Sequence, residues 1–181
     1  YDAYGNLITD DDTNFTWHNT DGTGLFDTTT AGNHDVMATY NGVNSQKIIV
    51  SVESASVDTV EIAPSSDQTI TAGDTIDFDA SAYDAYGNLI TDDDTNFTWQ
   101  NTDSTGLFNE TTGGAYDVTA DYNGVTSTTT IVNVEAAEVN TVEISPSEDQ
   151  TITAGDTIDF DACANDTYGN VIPEDALDFP W

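Results

Sequence analysis

The chain is almost without positive charge. Lys and Arg together contribute one residue, Lys47, against 34 Asp and Glu, so the formal net charge is −33. Proteins bind nucleic-acid phosphates with Lys and Arg side chains, so this composition excludes a nucleic-acid partner. An anionic membrane surface would repel the chain for the same electrostatic reason.

Long apolar runs and paired cysteines are also missing. No stretch approaches the roughly 20 apolar residues that a membrane-spanning helix needs, so we expect no direct membrane insertion of these residues. No signal peptide is visible, but the sequence begins inside a repeat, so we expect the natural N-terminus to lie elsewhere. Cys163 is the one cysteine, which excludes an internal disulfide and leaves the redox compartment open.

The sequence instead contains an internal repeat. The stretch "YDAYGNLITDDDTNFTW" at 1–17 recurs letter for letter at 83–99, and a looser copy, "NDTYGNVIPEDALDFPW", occupies 165–181. The fixed spacing of 82 residues indicates a tandem array. We divide the chain into copy one (1–54, lacking its first strands), copy two (55–136, complete) and copy three (137–181, the N-terminal part only).

Alternation of apolar and polar residues predicts strands throughout copy two. "TVEIAP" (59–64) and "QTITAG" (68–73) predict a first strand split in two. In the stretch 75–82 every second residue is apolar and faces one way, as in a half-buried strand: Ile76, Phe78, Ala80 and Ala82. No helical period appears, so the fold class is all-β.

Turn residues separate these predicted strands about every ten residues. In "YDAYGN" (83–88), Gly87 can adopt positive φ and Asn88 can cap the turn. Asn123-Gly124 is a strong hairpin signal because both residue types tolerate positive φ. Some seven short strands in one 82-residue period predict tandem β-sandwich repeats.

The order of these elements resembles a known family. "AGDTIDFDASAYDAYGN", then "FTW", then "GAYDVTADYNG" is similar to the bacterial immunoglobulin-like (Big) domains of invasin- and intimin-type surface proteins. The resemblance implies an immunoglobulin-like sandwich with Trp99 in its core. It also places Gly114-x-Tyr116-x-Val118 on the strand that carries the family's tyrosine corner, with Val118 where antibody domains have Cys.

Three departures from that pattern lie in the other copies. In copy one His34 replaces Tyr116, so we do not expect the tyrosine-corner hydrogen bond there. Copy three has Pro173 and Pro180, and a proline beside an inward Trp suits only an edge position. The residues expected in the cores are aromatic: Trp17, Trp99, Trp181, Phe97 and Tyr116.

The acidic surface is typical of proteins from extreme halophiles, in particular archaea. In dilute buffer such a surface repels itself, whereas at about 1 M salt the Debye length is only ~3 Å and the repulsion is screened. Regular strand patterning and abundant aromatic residues argue against an acidic disordered segment.

Acidic residues are also the candidates for cation binding. The run 92–94, duplicated at 10–12, offers carboxylates of the kind that Ca²⁺ prefers, but it lacks the D-x-D-x-D-G spacing of a calcium loop, so a solvated loop is the simpler interpretation. Acids at the joints between copies could hold Ca²⁺ or another cation and stiffen the array. The candidates are Asp92, Asp93, Asp94, Glu53, Asp58, Glu135 and Glu138.

Glycosylation is the one modification that the sequence suggests. Four N-x-[ST] triplets occur, and a chain rich in Asn and Thr also produces them by chance. The strand pattern turns two of these residues outward, beside inward Phe97 and Phe15. The candidate positions are Asn14, Asn96, Asn109 and Asn165.

Catalysis finds little support in the sequence. There is no G-x-S-x-G elbow, phosphate-binding loop or Cys/His metal cluster, and strand parity turns most acids toward solvent. His18 and His34 have no His counterpart in copy two. Cys163 alternates with inward residues and is expected to face outward.

The joints between copies favour a structural role. "VESASVDTV" (52–60) matches "VEAAEVNTV" (134–142), and neither contains Gly or Pro, so neighbouring copies have little room to swing. We therefore predict a non-catalytic, extracellular module that forms a stiff rod or filament with further copies of itself on a halophilic microbe.

Other functions and other modes of assembly stay open. The main alternative is an adhesin stalk or carbohydrate-binding module that meets surface glycans through Tyr86 and Tyr122, and a third possibility is an accessory module of a secreted hydrolase. The incomplete outer copies allow two explanations: a window cut from a longer array, or strand donation, in which residues 139–164 of one molecule complete copy one of the next.

Overall fold

Strands account for nearly all of the regular structure. The structure is a computed structural model that describes residues 1–173. Its residues form two compact units: 1–58 with 83–90, and 59–82 with the described residues from 91 onward. The helical structure in these residues is limited to two 3-10 turns, Asp12–Asn14 and Asp94–Asn96. No described helix is long and apolar enough to cross a membrane.

Copy one contributes a four-stranded antiparallel sheet to the first unit. Its strand order is β1-β2-β3, and the fourth strand, β4, pairs with the first half of β2. The turn Asp12–Asn14 leads into β1, and the side chain of Asp11 accepts a hydrogen bond from the Thr13 amide at its start. The strands are β1 (Thr16–His18), β2 (Gly32–Tyr40), β3 (Val43–Asn44) and β4 (Ile48–Val52).

Copy two contains ten strands, and the described part of copy three contains two. In copy two they are β5 (Val57–Ala63), β6 (Gln68–Thr71), β7 (Ile76–Asp77), β8 (Asp79–Asp84), β9 (Leu89–Thr91), β10 (Thr98–Gln100), β11 (Leu107–Phe108), β12 (Gly114–Tyr122), β13 (Val125–Thr126) and β14 (Thr130–Glu135). Copy three adds β15 (Thr141–Ser145) and β16 (Asp161–Asn165).

The sheets of copy two confirm the all-β prediction and the split first strand. One sheet has the order β10-β12-β14-β6 with β13 paired to β12, another has the order β5-β8-β9, and β11 pairs with β7. The two halves of the first strand, β5 and β6, therefore lie in different sheets. The pairing of β6 with β14 is parallel, whereas β14 and β12 are antiparallel.

The turn chemistry read from the sequence is also confirmed. Asn123 and Gly124 have φ values of 52° and 87°, which are the left-handed conformations that a tight hairpin between β12 and β13 requires. Gly87 has φ of 81°. The bounds of β1–β3 recur 82 residues later in β10, β12 and β13, and β14 begins 82 residues after β4 and is one residue longer, so the structural period equals the sequence period.

Most of the buried apolar residues lie in copy two, and Ala164 and Ile172 of copy three are also buried. The largest fully buried side chains are Phe78, Phe108, Val118, Val132 and Thr130. Strand parity explains the part contributed by β8, because Phe78, Ala80 and Ala82 are buried while the intervening residues are not. The next inward position of that parity is Asp84, a carboxylate that is only 3% exposed.

The predicted aromatic core residues are buried to different extents. Phe97 is buried, whereas Trp17, Trp99 and Tyr116 are half-buried, and Trp181 and Pro180 lie outside the described residues. The indole N–H of Trp99 donates to the carbonyl of Asp94 at 3.0 Å. Its ring covers Gly106, where a Cβ would come within 3.1 Å of it.

The counterparts of the core are less buried in copy one. Phe26 and Val36, which correspond to the fully buried Phe108 and Val118, are half-buried. In copy two the strands β5 and β8 supply buried side chains such as Val60, Ile62 and Ala80. Residues 1–54 contain no counterpart of β5 or of Phe78, Ala80 and Ala82.

Candidate repeat-coupling site

A short loop after β8 is the most highly organised polar feature of the molecule. It contains the sequence Asp84-x-Tyr86-Gly87-Asn88, which we call the DxYGN loop. One oxygen of the Asp84 carboxylate accepts the amides of Tyr86 and Asn88, each at 2.9 Å. The other oxygen accepts the side-chain amide of Asn88 at 2.8 Å. A single carboxylate thus fixes the conformation of the whole loop.

The same loop also bonds to copy one and to the joint between copies one and two, within the first compact unit. The amide of Ala55 donates to the Asp84 carboxylate at 2.8 Å. The side chain of Asn88 accepts from the amide of Ala31 and donates to the carbonyl of Thr29, both at 2.8 Å. All three of these partners are backbone groups.

The DxYGN loop of copy three makes the equivalent bonds to copy two and to the joint between copies two and three, within the second unit. The Asp166 carboxylate accepts the amide of Ala137 at 2.8 Å. The Asn170 side chain accepts from the amide of Gly113 at 2.7 Å and donates to the carbonyl of Thr111 at 2.8 Å. Every partner lies 82 positions after its counterpart, so the chain shows the same coupling twice.

Both carboxylates are strongly held in their ionised form. Burial raises the pKa of Asp84, but hydrogen bonds from the Asn88 side chain and from the amides of Ala55, Asn88 and Tyr86 together outweigh it and lower the pKa to about 2. The pKa of Asp166 is lowered to about 2 in the same way, with Asn170 and Ala137 among its donors. At neutral pH each loop therefore presents a fixed negative charge to backbone N–H groups.

Copy one carries a third DxYGN loop with the same internal bonds. Asp2 accepts the amides of Tyr4 and Asn6 at 2.8 and 2.9 Å, and the Asn6 side-chain amide at 2.8 Å. The Asn6 side chain, its amide and the Tyr4 amide lower the pKa of Asp2. Within the residues that the structure describes, no group outside this loop bonds to the side chain of Asp2 or Asn6.

Strand parity and the D-x-Y-G-N spacing were the signals for these residues in the sequence. The alternation that buries Ala80 and Ala82 also turns Asp84 inward, and the spacing occurs once in each copy. From the sequence alone the stretch is predicted only as a turn. That prediction misses the roles of four residues: Asp84, Asn88, Asp166 and Asn170.

The acidic run 92–94 is used mainly for local turn chemistry. The Asp93 side chain accepts from the Thr95 amide and caps a 3-10 turn, while Asp92 is exposed. Asp94 accepts the amide of Ala80 at 2.7 Å. Burial raises the pKa of Asp94, and the charges of Asp79, Asp77 and Asp93 raise it further, against the lowering effect of the Ala80 amide.

The acids at the joints are exposed and separate. Glu53 and Asp58 lie in the first unit, and Glu135 and Glu138 lie in the second. In residues 1–173, no group of three or more His, Cys, Asp or Glu side chains is arranged to hold a metal ion.

The candidate glycosylation residues differ in accessibility. Asn14, Asn96 and Asn109 are exposed, whereas Asn165 is half-buried at the end of β16, paired with Thr141. The side-chain amides of Asn14 and Asn96 donate to Thr9 and Thr91 at 2.9 Å, so each residue ties the 3-10 turn that it ends to the loop before that turn.

The two tyrosines considered for glycan contact lie in different surroundings. Tyr86 is 64% exposed on the DxYGN loop. Tyr122 is half-buried and its ring packs against buried Phe97, with centroids 5.5 Å apart. Of the two, Tyr86 is the one that presents an open aromatic face.

The corner hydrogen bond exists in both copies. The Tyr116 hydroxyl donates to the carbonyl of Thr112 at 2.8 Å, and in copy one Nε2 of His34 lies 2.8 Å from the carbonyl of Thr30. A carbonyl can only accept, so Nε2 carries the proton. The expectation that copy one lacks this bond is therefore wrong, because the imidazole N–H replaces the phenol.

The remaining predicted position is Cys163. It is a free, exposed cysteine on β16, opposite Glu143 of β15, and so faces outward as predicted.

Comparisons with known proteins identify no family. No protein-family model matches the chain, and no curated protein matches it. Three solved structures of a surface-layer protein are similar in part. Domains 4 and 5 of the S-layer protein SbsC match with a TM-score of 0.35 and 21% identity over 74% of this chain and 77% of that one.

Two longer SbsC structures match at the same level. Domains 4–9 have a TM-score of 0.35 and 21% identity over 95% of this chain and 31% of that one. Domains 1–6 have a TM-score of 0.37 and 20% identity over 94% of this chain and 26% of that one. Similarity this weak supports no conclusion about activity.

Proposed function

We propose that the chain is a structural, non-catalytic module of a cell-surface array, in which successive β-sandwich copies form a stiff rod or filament. The supporting observation is the repeated coupling by the DxYGN loops. Two successive copies each bond through an Asn side chain to the backbone of the copy before them, and through an Asp side chain to the backbone of the joint that connects the two copies. Such a contact between neighbours extends an array and creates no reaction centre.

The joints support the same proposal. Residues 53–56 connect β4 to β5, and the amide of Ala55 within this joint is bonded to Asp84. Residues 136–140 connect β14 to β15, and the amide of Ala137 is bonded to Asp166. A short connection that is itself hydrogen-bonded has fewer accessible conformations than a free linker.

The charge supports an extracellular role in concentrated salt. A net charge of −33 with one basic residue keeps copies soluble in brine, where repulsion between neighbouring copies is screened. Exposed Asn14, Asn96 and Asn109 suit a glycosylated surface protein, and we include glycosylation in the proposal.

Electron microscopy tests the structural role. The chain is purified in molar NaCl, and the expected result is elongated particles or filaments whose axial repeat matches one or two copies. Compact particles with no axial repeat would contradict the proposal.

A carbohydrate-binding or adhesin module is the second candidate, favoured by the exposed ring of Tyr86. Glycan-array binding that Tyr86→Ala abolishes would support it. Tyr122→Ala is an unsuitable probe, because the Tyr122 ring packs against Phe97 and its loss would also affect folding.

Strand donation between molecules is a second possible mode of assembly. Copy one has a groove lined in part by Ile8, Phe15 and Tyr40, and β15 of copy three exposes Val142 and Ile144. If β15 of one molecule enters the groove of the next, the chain forms concentration-dependent oligomers. Val142→Asp with Ile144→Asp would then return it to a monomer by light scattering.

A further inference from the structure

The two occupied DxYGN loops recognise the preceding copy through its main chain alone. The side chains of Asn88 and Asn170 each bond to one backbone carbonyl and to the backbone amide two residues after it. The carboxylates of Asp84 and Asp166 each accept a bond from the amide of an alanine in the joint between copies. The amide bound by the Asn side chain belongs to Ala31 in one case and Gly113 in the other. The two amide contacts measure 2.8 and 2.7 Å.

An aromatic contact accompanies these bonds in the second unit. The ring of Tyr168, on the DxYGN loop of copy three, lies over Gly73 of copy two, so close that a Cβ on Gly73 would overlap it. The loop therefore has contacts at three places: the loop before β12 and the turn after β6, both in the preceding copy, and the joint after β14.

We propose that the DxYGN loop is a docking element whose partner is another repeat of this kind, and that the loop of copy one, residues 2–6, docks in the same way when such a repeat is placed before it. The partner supplies a carbonyl and an amide from the loop before its long strand, and an amide from the joint that follows its last strand. This proposal deepens the structural role proposed above and depends on it.

The loop of copy one shows that the internal bonds form without a partner. Asp2 closes this loop with the same donors that Asp84 and Asp166 use in theirs. The bonds to Thr29, Ala31 and Ala55 are therefore additional to loop closure. A rigid loop that already has its bound conformation loses little entropy on docking.

Asn88→Ala and Asn6→Ala form a matched pair that separates docking from loop closure. Both substitutions remove a side-chain bond to the Asp of the same loop, but only Asn88→Ala also removes the two bonds to Thr29 and Ala31. Each lost bond lowers Tm by about 2–4 °C in a chain of this size. We expect a larger loss of Tm for Asn88→Ala than for Asn6→Ala.

Amide hydrogen exchange at Ala31 provides a readout specific to docking. The Ala31 amide donates to Asn88, so its exchange should accelerate in Asn88→Ala and stay unchanged in Asn6→Ala. Unchanged exchange at Ala31 in a folded Asn88→Ala chain would overturn the proposal. So would equal losses of Tm in the two variants.

A chain lengthened by one period tests the DxYGN loop of copy one. A second copy of residues 1–82 is placed before Tyr1, and the titration of Asp2 is followed by NMR. The pKa of Asp2 should fall to that of Asp84, and Asn6→Ala should become as destabilising as Asn88→Ala. An unchanged Asp2 titration would show that this loop does not dock.

The outcomes are independent of the test of the array itself. If electron microscopy shows no axial repeat while Ala31 exchange responds to Asn88→Ala, the structural role fails, and the docking contact stands only between the copies of this chain. If the array forms while Ala31 exchange does not respond, docking by this loop fails and the structural role stands.

Discussion

The hydroxyl end of the Tyr168 side chain lies where a Cβ on Gly73 would be. Gly73 has φ of 94°, a conformation that L-residues other than glycine rarely adopt, and it leaves no room for a Cβ beneath the ring. The glycine is therefore required for two reasons, the backbone conformation and the close approach of the tyrosine. Copy three offers a comparison, because Gly155 occupies the equivalent position at φ of 104°, and among the described residues no atom lies within 4 Å of where its Cβ would be.

We predict that Gly73→Ala destabilises the chain more than Gly155→Ala. Both substitutions introduce backbone strain of about 1–2 kcal/mol, and only Gly73→Ala also displaces Tyr168. The measurement is the free energy of unfolding in urea, together with the ring resonances of Tyr168 by NMR. Equal destabilisation by the two variants would show that the Tyr168 contact contributes nothing.

The corner hydrogen bond should contribute equally in the two copies that have it. Tyr116→Phe removes the bond to Thr112, and His34→Phe removes the bond to Thr30. We expect each to cost about 1 kcal/mol in the free energy of unfolding, and we expect His34→Tyr to be tolerated because it restores the donor of copy two. A loss for His34→Tyr as large as that for His34→Phe would contradict this interpretation.

Copies one and two should respond differently to the same core truncation. Phe108 is fully buried and Phe26, its counterpart, is half-buried. Phe108→Ala should cost about 3–5 kcal/mol, and Phe26→Ala about half as much, because less apolar surface leaves water when Phe26 folds. Urea unfolding of the two single variants tests this, and equal costs would contradict it.

Acid should weaken the coupling between copies. The pKa values of Asp84 and Asp166 are about 2 in the folded chain, below the ordinary value of 3.8, so their contribution to stability is complete above pH 3.8 and is lost as the pH falls through about 2. Asp84→Asn should therefore show a shallower loss of stability over this range than the parent chain.

Asp2→Asn is the matched control for that measurement. Its carboxylate accepts bonds only from within its own loop among the described residues, and its pKa is lowered by them. Thermal unfolding between pH 2 and 5 compares the three chains. If Asp84→Asn follows the parent curve at every pH, the ionised carboxylate of Asp84 does not stabilise the coupling.

Low salt should loosen the fold. The net charge is −33, and the described residues contain one ion pair, between Lys47 and Asp35. Repulsion among the acidic side chains is therefore screened mainly by dissolved ions. We expect Tm to fall when NaCl is reduced from molar to millimolar. Over the same change the pKa of Asp94 should rise, because repulsion from Asp77, Asp79 and Asp93 strengthens. A Tm indifferent to NaCl would count against halophilic adaptation.

The strands could be predicted from the sequence because their signals are local. Alternation in 75–82 indicated the buried face of β8, and Asn123-Gly124 indicated the hairpin that follows β12. Both depend on residues a few positions apart, for which parity and φ preferences are sufficient.

The coupling contacts could not be predicted in the same way. Asn88 bonds to Thr29, 59 positions earlier, and nothing near either residue in the sequence identifies the other. Strand parity predicts that Asp84 points inward. Its partner, the amide of Ala55 in the joint between copies, is identified only by the three-dimensional fold. The corner bond of His34 was missed because the family pattern names a residue type, whereas the carbonyl of Thr30 requires only a donor.

Recognition of main-chain atoms has a consequence for how such a gene can change. Ala31 and Gly113 serve the same purpose at equivalent positions, so mutation there can accumulate without altering the junction. Unequal crossing-over between the identical stretches at 1–17 and 83–99 would add or delete whole periods in frame. Each new neighbour would present the same polypeptide atoms to Asp and Asn, so the length of the protein can evolve while its junctions stay compatible.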